Sequence, residues 1–290
     1  MPAIPDNPCR VFAGTVLRTR VATEVPDAAV RARVAAEFGL DASPAEQYWR
    51  WLLAALRGDL GLSFVTRTPV AAMVLDALLV SSLPAALSLL LAAAAGIPAG
   101  VRAAHRPGGW ADRLLTGGGV LGVSVPEFVL APVLILVFAV WGGVLPAVGW
   151  GEPRHVVLPV LTMAVYPAAL AAQLVRAETV EVLTRPHIRA ARAHGLRPSW
   201  ILWRHAARQG TVSVLSLSGM FVAGLIGGSV VVEVVYGVLG LGRLLYDAVL
   251  AQDLPVVQAA TLVVLAIALA GGVLAEVVQL ALDPVARDRG

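Results

Sequence analysis

The chain has 290 residues, 58% of them hydrophobic and 14% charged, with a mean hydropathy of +0.79. Soluble domains carry about 25% charged residues, so a soluble globular protein is excluded and a polytopic membrane protein is expected. The formal net charge of +3 rests on arginine alone, since no lysine is present; the arginines are not gathered with aromatic residues on a polar domain, which argues against nucleic acid as a partner.

Two exclusions of chemistry follow. A chain without lysine lacks the standard phosphate-binding loop, whose lysine must reach the phosphates, so any ATP used would be bound by another subunit. Cys9 is the single cysteine, leaving no intrachain disulfide and no thiolate metal cluster.

In chain order, residues 1–75 read as an extracytoplasmic segment with two short amphipathic helices, 26–38 and 44–56, separated by a break over 39–43. Apolar runs follow at about 78–101, 114–141, 156–175, 211–232 and 256–282, each long enough to cross roughly 30 Å of hydrocarbon. These five predicted transmembrane helices make residues 76–284 a single all-α integral membrane domain. Pro84, Pro126, Pro132, Pro159 and Pro167 lie inside the runs and predict kinked, closely packed spans.

Arginine in short connections sets the orientation. Arg102, Arg106 and Arg113 mark one cytoplasmic loop, and Arg185, Arg189, Arg192, Arg197 and Arg204 mark another. The connections 142–155 and 233–255 are poor in arginine and face outside. The tail is then cytoplasmic and Met1 lies outside, although residues 1–7 have neither the charged nor the apolar region that exports a polar segment.

Glu127 stands near the middle of the second run, where an isolated carboxylate costs about 3 kcal/mol and faces a cavity, a partner or a polar group such as Gln173. Glu127, Gln173 and Glu233 are the candidates for a translocation path. Glu276, nearer the cytoplasmic end of the last run, is read as structural, within reach of Arg176 or the surface.

The connection 184–208 is the most informative stretch. Thr184 is expected to cap a helix that Pro186 starts and Gly195 stops. Arg185, Arg189 and Arg192 recur four and three apart and form a basic stripe, while Ala190 and Ala191 leave little side chain beside it. A second helix starts near Pro198, with Trp200, Ile201 and Trp203 at the membrane boundary. Such a short basic helix fits a groove on a partner; the alternative is that its arginines only hold the loop inside. His187, His194 and His205 in this loop are read as solvated, because a metal site needs convergent ligands.

Gly240 and Gly242 follow no strand and open no βαβ unit, so they are not a dinucleotide fingerprint. They precede a short interfacial helix with Arg243 and Asp247 four apart and an apolar face of Leu244, Leu245 and Ala248.

The stretch RAARAHGL, residues 189–196, resembles the cytoplasmic loop of binding-protein-dependent ABC permeases, in the form used by the oligopeptide, dipeptide and nickel branch. RGDLGLSF (57–64), GIPAGVRAA (96–104), SVPEF (124–128), GGSVVVEVVYGVLGLGRLLYDAV (227–249), DLPVVQA (253–259) and the terminal LDP (282–284) are similar to the same branch, so the resemblance covers nearly the whole chain. The chain departs from the branch at Gln209, Ser213 and Leu239.

The resemblance implies a type I ABC importer permease fold in the cell membrane, multi-pass. It makes Pro186, His187, Ile188, Arg189, Ala190, Ala191, Arg192, Gly195 and Leu196 the coupling segment that seats in an ATPase subunit. The helix with Gly240, Gly242, Arg243 and Asp247 would lie on the outer face near the docking site of a substrate-binding protein. The implied partners are a homologous second permease, two ABC ATPase subunits that bind the ATP and Mg, an extracytoplasmic substrate-binding protein and the bilayer; this chain carries no cofactor and is not an enzyme.

Relatives begin with one more span followed by a turn that Pro5-Asp6-Asn7-Pro8 resembles, so the expectation is a late start or a natural truncation of a six-span design. Di- or oligopeptides are the implied cargo, with nickel chelates, glutathione or opines as alternatives. Outside this class, an ion-coupled secondary transporter would use Glu127 as a proton site, but no inverted repeat supports it. A membrane-embedded enzyme lacks any H-E-x-x-H or G-x-S-x-G motif to work with.

Overall fold

Backbone polar groups in hydrocarbon must be paired within the protein, and the computed structural model, which describes residues 43–282, meets that demand with helices. The readings placed on residues 1–42, including the helix over 26–38, lie outside the described residues. The chain divides into two compact units, whose described parts are 43–77 with 244–263 and 78–243 with 264–282.

The first unit contains helix α1, Pro44–Leu56, with the bounds expected from the sequence. Ser43 and Glu46 exchange side-chain and backbone hydrogen bonds, both 3.3 Å, in a capping box, and Pro44 fills the first helical position. The turn that follows is closed by an isolated bridge between Leu62 and Pro69. Ser63 and Phe64 are buried there. The Ser63 hydroxyl and the Phe64 N–H (3.0 Å) both donate to the buried carboxylate of Asp253, 190 and 189 residues away. Two stretches that the sequence singled out separately are thus one hydrogen-bonded cluster.

The second unit is built around a long central helix. Numbered in chain order through both units, the remaining helices are α2 (Val70–His105), α3 (Trp110–Ser124), α4 (Glu127–Leu134), α5 (Pro153–Thr184), α6 (Pro186–Ala193), α7 (Pro198–Ile201), α8 (Ala207–Gly228), α9 (Val230–Tyr236), α10 (Leu241–Leu250) and α11 (Leu254–Leu282); 70–77, 244–250 and 254–263 belong to the first unit. Wider π-helical turns continue α4 over Ile135–Trp141 and join α7 to α8 over Leu202–Ala206. Helices α3, α4, α6, α8 and α9 all pack on α5.

Helix α2 meets α5 backbone to backbone. Gly96 and Gly100 lie four apart on one face, and a methyl added at Gly100 would stand 2.5 Å from the Ala172 carbonyl oxygen and 2.9 Å from the Val175 side chain. Small residues at this spacing let membrane helices approach closely, so that dispersion does the work that burial from water does in soluble proteins. Val101, Ala171, Val175, Leu202, Ala207 and Val214 close the core around this contact.

Helices α2 and α5 and the 254–278 part of α11 are each long and apolar enough to span a membrane. The expected second span is a different object. It is broken between α3 and α4 with a bend of 104°. Pro126 has no N–H to give and holds Val125 in an extended conformation (φ −84°, ψ 114°), so the helix stops instead of kinking. Pro84, Pro159 and Pro167, by contrast, lie inside continuous helices. The expected fourth span, 211–232, falls on α8 and the start of α9, with an interruption at Ser229.

Gly100→Ala is expected to lower the thermal unfolding midpoint of the detergent-purified protein, at a cost of about 1–3 kcal/mol for overpacking against backbone. Gly117→Ala, also within a helix but with nothing within 4 Å of the new methyl, should leave the midpoint unchanged or raise it.

Candidate functional site

Two clusters of named residues stand out, one at each break of the chain that side chains must repair. The first is the loop between α5 and α8. The residue at the N-cap position of α6 is Arg185, not Thr184 as expected, and its side chain makes no capping hydrogen bond. Pro186 pushes the residue before it to extended geometry (φ −67°, ψ 149°), so α5 runs through Thr184 and breaks one residue later. The Thr184 hydroxyl donates instead to the Glu181 carbonyl at 2.7 Å.

The other end of α6 is stopped as expected. Gly195 has φ +80°, its N–H donates to the Arg192 carbonyl (3.0 Å) and the Leu196 N–H to the Ala191 carbonyl (3.3 Å). This pair of bonds in a left-handed glycine cap satisfies carbonyls that a helix end leaves open.

Helix α6 has two unlike faces. Ile188, 1% exposed, packs with Val182, Ile201 and Ala206, and Ala191 leans on the same cluster. Ile201 is therefore core rather than a membrane-boundary residue, whereas Trp200 and Trp203 are exposed as expected. Arg189 and Ala190 point away from this cluster and are exposed, and Arg192, one turn after Ile188, is exposed at its edge.

The basic stripe is divided. Arg185 turns back onto the stem, reaching Glu181 (3.0 Å) and Gln209 (3.2 Å), which gives a use to one of the positions departing from the branch. Arg189 Nη2 donates to the Thr184 carbonyl at 3.2 Å and closes the end of α5. Arg192 is exposed, and His187 lies in the first turn of α6.

Arg176 does not use Glu276. Its guanidinium makes a two-pronged contact with Asp112, one prong 2.9 Å long, and Asp112 also accepts the Gly108 N–H at 2.8 Å. The carboxylate is buried and ties the loop before α3 to α5. Sequence reasoning missed this pair; the available signal was an acidic residue in the first turn after Gly108 and Gly109, where helix starts favour negative charge.

The second cluster surrounds Glu233, which is 2% exposed. Its Oε1 accepts the Ser81 hydroxyl (2.6 Å) and the Ser229 hydroxyl (2.8 Å), and its Oε2 accepts the Arg243 N–H (2.9 Å). The Ser81 oxygen in turn accepts the Leu241 N–H at 2.7 Å. Gly240 is pressed against Ser81 and Glu233, and Gly242 against the Val230 backbone, so neither has room for a side chain. Glu233 is thus an internal node of the chain. Arg243 and Asp247 lie one turn apart on α10.

Glu127 is half-buried in the first turn of α4, directly at the 104° break. Gln173 on α5 lies with its side-chain amide against Gly119 of α3. No hydrogen bond joins Glu127 to Gln173 among the described residues.

Residues 96–288 match the family model described as binding-protein-dependent transport system inner membrane component. The chain is 38% identical over 256 residues to the glutathione transport system permease protein GsiC of Escherichia coli strain K12, covering 88% of this chain and 81% of that protein. It is 37% identical over 256 residues, with the same coverages, to GsiC of Shigella boydii serotype 4. Among solved structures, it is similar in fold to an inward-facing form of the MetNI methionine ABC transporter, with a TM-score of 0.56 and 20% identity over 71% of this chain and 96% of that one. A family match over more than half of the chain, joined to relatives of this identity and coverage, assigns the protein: it belongs to the binding-protein-dependent transport system inner membrane components, the multi-pass permease subunits of ABC importers.

Proposed function

We propose that this permease imports short peptides, with α6 as the helix through which ATPase subunits drive it. The observation that carries the coupling role is the division of α6 into a buried side around Ile188 and the exposed Arg189, Ala190 and Arg192. A partner groove that closes on these exposed residues moves a body locked to α5 by Ile188, by the Arg189 bond to Thr184 and by the Arg185 contacts. Because α3, α4, α8 and α9 pack on α5, displacement of its end passes to them and switches access between the two sides.

In this reading ATP and Mg are bound by two partner ATPase subunits. A second, homologous permease completes the path, and a substrate-binding protein delivers cargo at the face that carries α10. Glu127, at a break where backbone and carboxylate both need polar company, is the residue of this chain best placed to line the path. Similarity to GsiC favours glutathione, itself a tripeptide, among the short peptides. Proteoliposomes holding both permeases and the ATPases, given the loaded binding protein, should take up labelled peptide with ATP. Uptake on an ion gradient without ATP would instead support the secondary-transport alternative.

Four variants probe the coupling helix. Gly195→Val should leave assembly intact but lower transport per ATP hydrolysed by tenfold or more, because a β-branched residue is strained by about 1–2 kcal/mol in the left-handed region. Gly195→Asn should retain more activity, since open space surrounds the position and only its φ is restrictive. Reversing Arg189 and Arg192 to Glu should weaken co-purification of the ATPase at moderate salt, by about tenfold per lost complementary charge. Ile188→Ala, which empties a core position at a cost of about 2–5 kcal/mol, should expose the 185–197 segment to protease and uncouple ATP hydrolysis from transport.

A further inference from the structure

Helix α10 starts without a cap of its own. The residue before Leu241 is Gly240, which has no side chain to offer, yet Gly240, Leu241 and Gly242 are all buried. First-turn N–H groups have no partner inside their own helix, and leaving one buried and unpaired costs about 1–3 kcal/mol. The Leu241 N–H is taken by Ser81 of α2 and the Arg243 N–H by Glu233 of α9. The Ser81 hydroxyl accepts from the Leu241 N–H and donates its own hydrogen bond to Glu233, so the two caps form one relay. Ser229, at the interruption between α8 and α9, donates to the same carboxylate oxygen.

The absence of a side chain at Gly240 is part of the same device, because a methyl there would occupy the space of the Ser81 oxygen and the Glu233 carboxylate. A local cap such as Ser or Asp at 240 would secure α10 to itself alone. A cap borrowed from α2 and α9 secures its first turn to a long apolar helix and to the short helix that precedes the turn.

We propose that Glu233 is a positioning residue for transport: acting as a remote cap, it holds the first turn of α10, from Leu241 to Arg243, in its helical form. Its role in transport rests on the reading of α10 as the helix that meets the substrate-binding protein. A carboxylate at the start of a helix is also favoured by the dipole, and its two oxygens supply three acceptor contacts, where an amide would supply one oxygen and two unwanted donors.

The test combines amide hydrogen exchange with ATPase stimulation on the assembled transporter. Glu233→Ala should speed exchange in residues 240–244 by tenfold or more while exchange in α5 is unchanged. It should also raise the concentration of loaded binding protein needed for half-maximal ATPase stimulation severalfold with the maximal rate retained. Glu233→Gln should show a smaller form of both effects. Ser81→Ala combined with Glu233→Ala should add little to Glu233→Ala, since both act through one relay. If Glu233→Ala does not assemble, Glu233→Gln and Ser81→Ala carry the same comparison.

Unchanged protection at 240–244, or a loss spread equally over α2, α5 and α9, overturns the capping role. Leu250→Arg, at a position 67% exposed on α10, separates the two ideas. If it shifts half-maximal stimulation and the Glu233 variants do not, the positioning role is wrong. If it leaves stimulation unchanged, the docking assignment of α10 fails, and with it the role of Glu233 in transport, whatever the exchange shows.

Discussion

In a solvent that offers no hydrogen bonds, a helix can stop only where something else receives the backbone groups it leaves open, and the features of this permease gather at its stops. At Gly195 and at Gly237 a left-handed glycine folds the chain back so that its own N–H groups reach carbonyls of the last turn. At Thr184 the side chain of Arg189 reaches the exposed carbonyl, and at Leu241 and Arg243 a serine and a glutamate receive the N–H groups. Each repair by a side chain ties one helix to another, so the requirement to satisfy backbone becomes a pattern of mechanical connections.

That pattern centres on α5. Its first half holds the Thr162 hydroxyl 2.8 Å from the Tyr236 hydroxyl, which donates to the Ala131 carbonyl of α4 at 3.2 Å. Its middle meets Gly96 and Gly100 of α2 at backbone distance. Lower down, Arg176 grips Asp112 at the start of α3, and the end of α5 carries α6. One helix therefore contacts α2, α3, α4, α6, α8 and α9. Close glycine packing matters here because a well-filled contact transmits displacement instead of absorbing it.

The two loops with the richest chemistry are held by opposite means. Helix α6 is attached by a small apolar cluster around Ile188 and leaves its polar side outward, an arrangement suited to a partner that binds and releases. The start of α10 is attached by a buried polar relay with no exposed member at its centre. A fully satisfied buried network specifies one geometry more strictly than an apolar contact of similar size, so the first turn of α10 is the more strictly held of the two.

Much of this was legible in the amino-acid sequence, and the reason is locality. The Pro44–Leu56 helix and the proline start and glycine stop of α6 rest on residues within a turn or two of one another, and membership of the permease class rests on short motifs spread along the chain. Distant pairings were not legible: Asp112 with Arg176, Ser63 with Asp253, and Ser81 with Glu233 join residues 64, 190 and 152 positions apart. Nor was the fate of individual prolines, since Pro126 ends a helix while Pro84, Pro159 and Pro167 sit inside continuous ones. A sequence states which groups need a partner and which residues can start or stop a helix. Which distant group answers the need depends on the packing of whole helices: the Glu233 carboxylate meets the Arg243 N–H, ten residues on, only because α9 and the first turn of α10 fold against each other.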